Sequence, residues 1–412
     1  MRIHNILPQM TDFEQFIIDN EYSDTSVLLL SKTKDNGIDI NLAVNTIEGR
    51  KKLKNKLPQW YKNPSIVYPD RLSVEQCSSG ETAEYKADVA KSIIGGKGKI
   101  ADITGGLGVD TWAFSHIASE VLYNEQNTKL YEAVCKNFIQ LKANNIITFN
   151  ETISAENTAF LFNNFKPDLI YLDPARRSNT GKKVFRIADC EPNLLLLKDK
   201  LFEYTNEILV KLSPMADTSK ISEELGKEVR EIHIIGSKGE CKELLVRLSK
   251  ERQDDPIIKV YDNGASITFS QKEENVAEAN FIENDIDIVG KYLLEPGKAL
   301  MKSGFFNGLS ARYGLQKFDI STHLYVCCDL PKEIIKLCKI FIIKKITKLN
   351  KNSIKELSNS IKEAEVTSKN IPMTSNEFRK KLKVKSGGKF HIFGIKTKSM
   401  GNMIIVAEKI VS

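Results

Sequence analysis

The sequence predicts an α/β fold: a Rossmann-like, mostly parallel sheet covered by helices on both faces, followed by α+β segments. Three observations carry that expectation. Short apolar runs alternate with amphipathic stretches from about residue 70 to 250. A glycine-rich turn joins one of those runs to the helix after it. Beyond 255 the alternation stops and hairpin patterns replace it.

Residues 1–69 read as a helical module. Phe13, Phe16, Ile17 and Ile18 form one apolar patch, and Pro58, Pro64 and Pro69 punctuate the way out. Residues 70–254 hold seven strand candidates: Lys99–Thr104, Glu120–Asn124, Ile146–Phe149, Asp168–Asp173, Glu207–Lys211, Glu231–Ile235 and Leu244–Leu248. Helical patterns fall between several of them, so a seven-stranded, mostly parallel sheet is expected. Residues 255–330 read as a small α+β domain that opens with a hairpin around Asp262-Asn263-Gly264. Residues 331–412 read as a second one.

Bulk properties narrow the class. A chain of 412 residues exceeds one ordinary core. Its 41% hydrophobic and 27% charged content is globular. No apolar run is long enough for a membrane span, and the start lacks the apolar core of a signal peptide, so a cytoplasmic protein with no membrane partner is expected. The seven cysteines are odd in number and show no C-x-x-C spacing, and the five histidines are scattered. Neither a disulfide framework nor a metal site is expected.

Net charge is +7, unevenly spread. Residues 332–412 carry 19 Lys+Arg against 6 Asp+Glu, a balance of +13, and the remainder carries −6. A basic end on an acidic body points to a nucleic-acid partner.

The most informative segment is Asp102-Ile103-Thr104-Gly105-Gly106-Leu107-Gly108-Val109-Asp110. An apolar strand ends in Asp102, glycines follow, and a helix begins. Glycines let backbone approach a ligand closely. The third glycine of a dinucleotide loop is missing, and no Lys-Ser/Thr ends a P-loop. An acid before glycines resembles motif I of class I S-adenosylmethionine (SAM)-dependent methyltransferases. A cationic sulfonium and ammonium suit carboxylates better than a phosphate cradle. Glu125, just after the next strand, is placed to accept from a ribose diol. Upstream, Gln76, Ser78 and Ser79 resemble the segment that closes over the methionine end of SAM; Ser79 equally suits a helix N-cap. The expected cofactor residues are therefore Gln76, Ser78, Ser79, Asp102, Thr104, Gly105, Gly106, Gly108, Asp110 and Glu125.

The second signal is Asp173-Pro174-Ala175-Arg176-Arg177, delivered by an apolar strand. It resembles motif IV of the amino-methylating members, where Asp/Asn-Pro-Pro-aromatic orients an exocyclic amine. Here Ala175 replaces the second proline and Arg176 stands in the aromatic position. Arginine can also stack on a base or hold phosphate. Asp173, Pro174 and Arg176 are the catalytic candidates. Arg177, Lys211 and Ser213, with Lys381, Lys383 and Lys385 of the basic end, are the substrate-binding candidates. Residues 178–190, with Lys182, Lys183 and Arg186, read as a polar lid. Cys190 lacks an activating neighbour in sequence and reads as a buried structural thiol.

Together, Gln76–Ser79, the Asp-x-Thr-Gly-Gly-x-Gly loop, Asp-Pro-Ala-Arg-Arg and Lys211-Leu212-Ser213-Pro214 resemble a bacterial family of class I SAM-dependent methyltransferases. Its members carry a ferredoxin-like domain and a C-terminal THUMP-like domain. Glu295-Pro296-x-x-Ala299-Leu300-Met301-Lys302, Arg312–Leu315 and the closing Phe393-Gly394 and Ile404–Lys409 segments are similar to its later parts. The resemblance implies SAM as cofactor, a ferredoxin-like 255–330, a THUMP-like 331–412 and RNA (tRNA or rRNA) as partner, with a base as methyl acceptor. A methyltransferase of DNA, protein or a small molecule, and a non-catalytic SAM- or RNA-binding module, stay open as alternatives.

Overall fold

The computed structural model describes residues 10–30, 37–176, 186–283 and 288–410; Arg177, Lys182 and Lys183 lie outside them. The chain divides into two compact units, Met1–Val229 with Leu245–Arg252, and Arg230–Leu244 with Gln253–Ser412.

In the first unit the N-terminal module is helical. Helix Asp12–Asp19 opens on a capping box between Thr11 and Glu14. Ile17 packs with Ala43 and Ile47 of helix Ile40–Leu53, flanked by Phe13, Phe16, Leu28 and Ile38. Five strands follow: β1 (Lys99–Asp102), β2 (Glu120–Asn124), β3 (Ile146–Phe149), β4 (Leu169–Leu172) and β5 (Glu207–Leu212). They pair in parallel in the order β5-β4-β1-β2-β3. Helices Val109–Ser115, Thr128–Gln140, Thr158–Phe162 and Leu194–Leu201 occupy the connections. The sequence of β4, Leu-Ile-Tyr-Leu, is buried throughout, as a central parallel strand covered on both faces must be. The chain runs outward from β1 to β3 and then returns to the other side of β1. The carboxyl ends of β1 and β4 therefore flank the point where strand order reverses, the usual ligand crevice of such sheets. The second half of β7 (Glu240–Ser249) follows β5 in strand order; there Arg247 and Ser249 hold Glu207.

The second unit holds β6 (Val229–Ser237), β8 (Ile257–Asp262) and β9 (Ala265–Ser270). The expected hairpin is present, turning on Asn263 and Gly264, both with positive φ. It does not begin a separate sheet, however: β8 pairs in parallel with β6. The strands β1 to β9 are thus nine where seven were expected. The surplus is the hairpin, whose continuation of β6 no sequence period reveals.

Eight further strands form a second sheet: β10 (Asn280–Phe281), β11 (Tyr292–Pro296), β12 (Gln316–Asp319), β13 (Thr322–Cys327), β14 (Cys338–Lys348), β15 (Glu365–Lys369), β16 (Phe390–Thr397) and β17 (Gly401–Lys409). Their order is β10-β12-β13-β11-β14-β17-β16-β15. One face buries Leu293, Phe341, Phe393 and Ile405; the other packs Ile392, Ile404 and Val406 on Leu357 and Phe378 of helices Lys351–Ser360 and Ser375–Leu382.

Candidate cofactor and acceptor site

The glycine loop is tight on its protein side and open at one point. A Cβ at Gly105 would fall 2.1 Å from the Tyr123 ring, and one at Gly108 2.7 Å from Val134 and Phe138. At Gly106, whose φ is +53°, a Cβ would meet nothing within 4 Å. Packing thus forbids side chains at two glycines, while the third turns its backbone to open space. The Tyr123 hydroxyl donates to the Gly106 carbonyl at 2.8 Å, and the Gly106 N–H donates to Glu125 Oε2 at 3.0 Å. Glu125 Oε1 accepts from the Asn127 N–H at 2.8 Å. The end of β2 and the loop after β1 are therefore joined through the carboxylate expected to meet a ribose.

Asp102 is buried at the end of β1. It accepts from Thr111 Oγ1 at 2.6 Å and from the Thr104 N–H at 3.2 Å. Burial pushes its carboxyl up to about 8; the Thr111 and Thr104 hydrogen bonds resist the rise, and the Asp110 and Asp173 charges add to it. Thr104 Oγ1 accepts from the Asp173 N–H at 2.6 Å, which ties the glycine loop to the Asp173-Pro174 loop.

Asp110 behaves differently from Asp102. Burial acts to raise its pKa, but the Lys86 ammonium beside it prevails and holds the carboxyl below its usual range. Lys86 Nζ lies 2.7 Å from Asp110 Oδ2 and 2.6 Å from Ser78 Oγ. The Ser78 hydroxyl, at 3.0 Å, and the Tyr171 hydroxyl, at 2.7 Å, donate to that same oxygen.

At the end of β4, Asp173 Oδ2 pairs with Lys211 Nζ of β5 at 2.6 Å. Pro174 is buried beside it, and Ala175–Arg176 forms a short antiparallel ladder with Cys190–Glu191. Ser213 turns the chain after β5, its hydroxyl accepting from the Met215 N–H at 3.2 Å. Ser79 is the N-cap of helix Gly80–Ile94, accepting from the Thr82 N–H at 3.2 Å; Gln76 ends helix Arg71–Gln76 in an exposed position. Cys190 is buried.

Sequence reasoning therefore named the loops and missed residues that hold them: Lys86, Tyr171, Thr111 and Tyr123. Lys86 left a signal. It sits on the helical stripe of Thr82, Ala83, Ala87 and Ala90, and a charge on a buried stripe needs a partner. In the second unit, Lys381, Lys383 and Lys385 are exposed around the end of helix Ser375–Leu382. Among the described residues no His, Cys, Asp and Glu group could hold a metal ion. No described helix is long and apolar enough to cross a membrane.

The residues suit SAM on structural grounds: an open glycine cradle, a carboxylate on the ribose side and buried carboxylates for a cation. Comparison with known proteins points the same way. Residues 292–334 match the model of a ferredoxin-like domain, and residues 338–409 that of a THUMP domain-like family. A candidate methyltransferase of Porphyromonas gingivalis W83, solved by crystallography, is 29% identical; the match covers 97% of this chain and 98% of that one, with a TM-score of 0.84. Two proteins of Mycobacterium tuberculosis, from strains CDC 1551 / Oshkosh and H37Rv, are named uncharacterized SAM-dependent methyltransferases. Each is 27% identical over 157 residues, 37% of this chain. The chain spans 39% of the length of these curated relatives. The chain thus joins a class I methyltransferase fold to a ferredoxin-like and a THUMP-like domain, as the motif resemblance implied.

Proposed function

We propose that the protein is a SAM-dependent methyltransferase that modifies a base in structured RNA, tRNA or rRNA. The observation that carries the reading is the hydrogen bond from the Asp173 N–H to Thr104 Oγ1, at 2.6 Å. It sets the acceptor loop against the glycine loop at the switch point of the sheet.

The cofactor would supply an electrophilic methyl group on a sulfonium. The chain's residues do the rest. The Gly105–Gly108 backbone and Glu125 would hold the nucleoside end, with Glu125 exchanging its Gly106 N–H bond for the ribose hydroxyls. Gln76, Ser78, Ser79, Asp102, Thr104 and Asp110 would line the amino-acid end. Asp173 shares one oxygen with Lys211, which leaves the other to accept an N–H of an exocyclic amine. That bond, with the Pro174 carbonyl, would orient the nitrogen lone pair and exclude unproductive poses. Lys211 keeps the Asp173 carboxylate compensated while the amine loses its proton. Arg176 and Arg177 suit stacking on a base or contact with phosphate.

The RNA part of the reading rests on charge and on the THUMP-like match. Lys381, Lys383 and Lys385 are exposed within the stretch that carries +13, and such lysines contact phosphates without reading sequence. The test is incubation of the protein with labelled SAM and separate RNA, DNA and protein fractions. Label is expected in RNA. Label in another fraction alone would favour the alternative substrates, and tight SAM and RNA binding without turnover a non-catalytic module. Nucleoside mass spectrometry of a deletion strain against its parent would then name the base.

A further inference from the structure

Three segments of the site meet at one buried charge. Ser78 belongs to the stretch before helix Gly80–Ile94, Asp110 to the start of helix Val109–Ser115, and Tyr171 to β4, two residues before Asp173. Lys86 is fully buried and joins them through Asp110 Oδ2 and Ser78 Oγ. Three donors crowd onto Oδ2: Lys86 Nζ, the Tyr171 hydroxyl and the Ser78 hydroxyl. Oδ1 of the same carboxylate is buried and has no hydrogen-bond partner among the described residues. That asymmetry needs a cause. A buried, unsatisfied carboxylate oxygen is costly, and native structures keep such groups chiefly where a ligand, ion or water completes them.

We infer that Lys86 is a positioning residue for the cofactor. It fixes the Asp110 carboxylate so that Oδ1 is kept for an ammonium on the amino-acid end of the ligand. This rests on the reading of the site as a SAM site, and it deepens that reading. A carboxylate that bridges Lys86 and a ligand ammonium gains two charge-assisted hydrogen bonds in a site with little competing water. Lys86 also holds the carboxylate ionised, as Asp102 is not held. Helix position explains why a lysine can do this. Lys86 lies on the same buried stripe as Ala83, Ala87 and Ala90, and its ammonium reaches Ser78 and Asp110.

A merely structural ion pair makes a different prediction. Removing Lys86 alone strands a buried carboxylate and is expected to destabilise the protein, so the informative variant is K86M/D110N, which removes both charges at similar volume. Two probes read it by calorimetry: S-adenosylhomocysteine, which has the amino-acid ammonium, and 5′-methylthioadenosine, which lacks the amino-acid end. Full-length wild type and the double variant are compared, with thermal unfolding alongside. The expected result is a tenfold or greater loss of S-adenosylhomocysteine affinity, with 5′-methylthioadenosine within twofold of wild type. Equal losses for both probes would make the pair a scaffold for the loop and overturn the inference. Unchanged affinity for both would overturn it as well. If K86M/D110N does not fold, Lys86→Arg is the fallback. Its bidentate fork would engage both oxygens of Asp110 and so take the Oδ1 position kept for the ligand, and a selective loss of S-adenosylhomocysteine affinity of about threefold or more is expected, with 5′-methylthioadenosine unaffected; equal changes for both probes, or none, would overturn the inference. Wild type that binds neither probe would instead defeat the reading of the site itself.

Discussion

The carboxyl edge of the parallel sheet and the lysine-rich end of the second sheet handle charge in opposite ways. At the parallel sheet, Lys86, Asp102 and Asp110 are buried, each within hydrogen-bond distance of named partners. Around helix Ser375–Leu382, Lys380, Lys381, Lys383 and Lys385 stand exposed. A buried charge is expensive and survives only in one geometry, so it can fix a ligand atom by atom. Exposed lysines cost little, act through a screened field and tolerate many poses. The first arrangement suits a small cofactor and the second a long polyanion.

That contrast can be broken at either end. The largest effect is expected at Asp173. D173A should lower the methyl-transfer rate by about a hundredfold or more, since it removes the proposed orienting acceptor. Binding of S-adenosylhomocysteine should stay within a fewfold, and a single-turnover assay beside calorimetry checks both. Next is the basic end. K381A/K383A/K385A should weaken RNA binding by on the order of tenfold at moderate salt and flatten the salt dependence by roughly two units of log–log slope. A filter-binding series in NaCl reads this, with cofactor affinity unchanged.

A smaller loss is expected from E125A, about threefold in cofactor affinity from the missing ribose acceptor, with little change in kcat at saturating SAM. The smallest effect is a pH slope. The Asp102 carboxyl is pushed up to about 8 in the folded chain, above its unfolded value. A raised carboxyl contributes stability that is fully present below the unfolded value and lost as pH rises through the folded value, so the ligand-free protein should weaken between about pH 4 and 8, by at most roughly 1.4 kcal/mol per pH unit. D102N should flatten that slope in urea unfolding. A slope unchanged by D102N would assign it to another group.

Legibility in the sequence followed the same division. The strands β1 to β5 were readable because buried parallel strands are continuous apolar runs between turn signals. The loops were readable because Asp102, the glycines and Asp173-Pro174 sit where strands end. The hairpin Ile257–Ser270 was readable as a hairpin, yet its parallel pairing with β6 was not, since partner choice leaves no period in a single strand. Lys86 was passed over for a related reason. In sequence it is one lysine among many, and only folding brings it to Asp110, 24 residues away.

The sequence by itself determined the fold class, the order of elements, the glycine loop and the polarity of charge. Each is local, set by backbone sterics at glycine, by burial periodicity or by composition. Only the tertiary structure decided which charges meet. It paired Asp110 with Lys86 and Asp173 with Lys211, and it left Asp102 to burial. The reason is that a carboxylate's ionisation depends on what lies within a few ångströms of it in space, and distance along the chain does not set that.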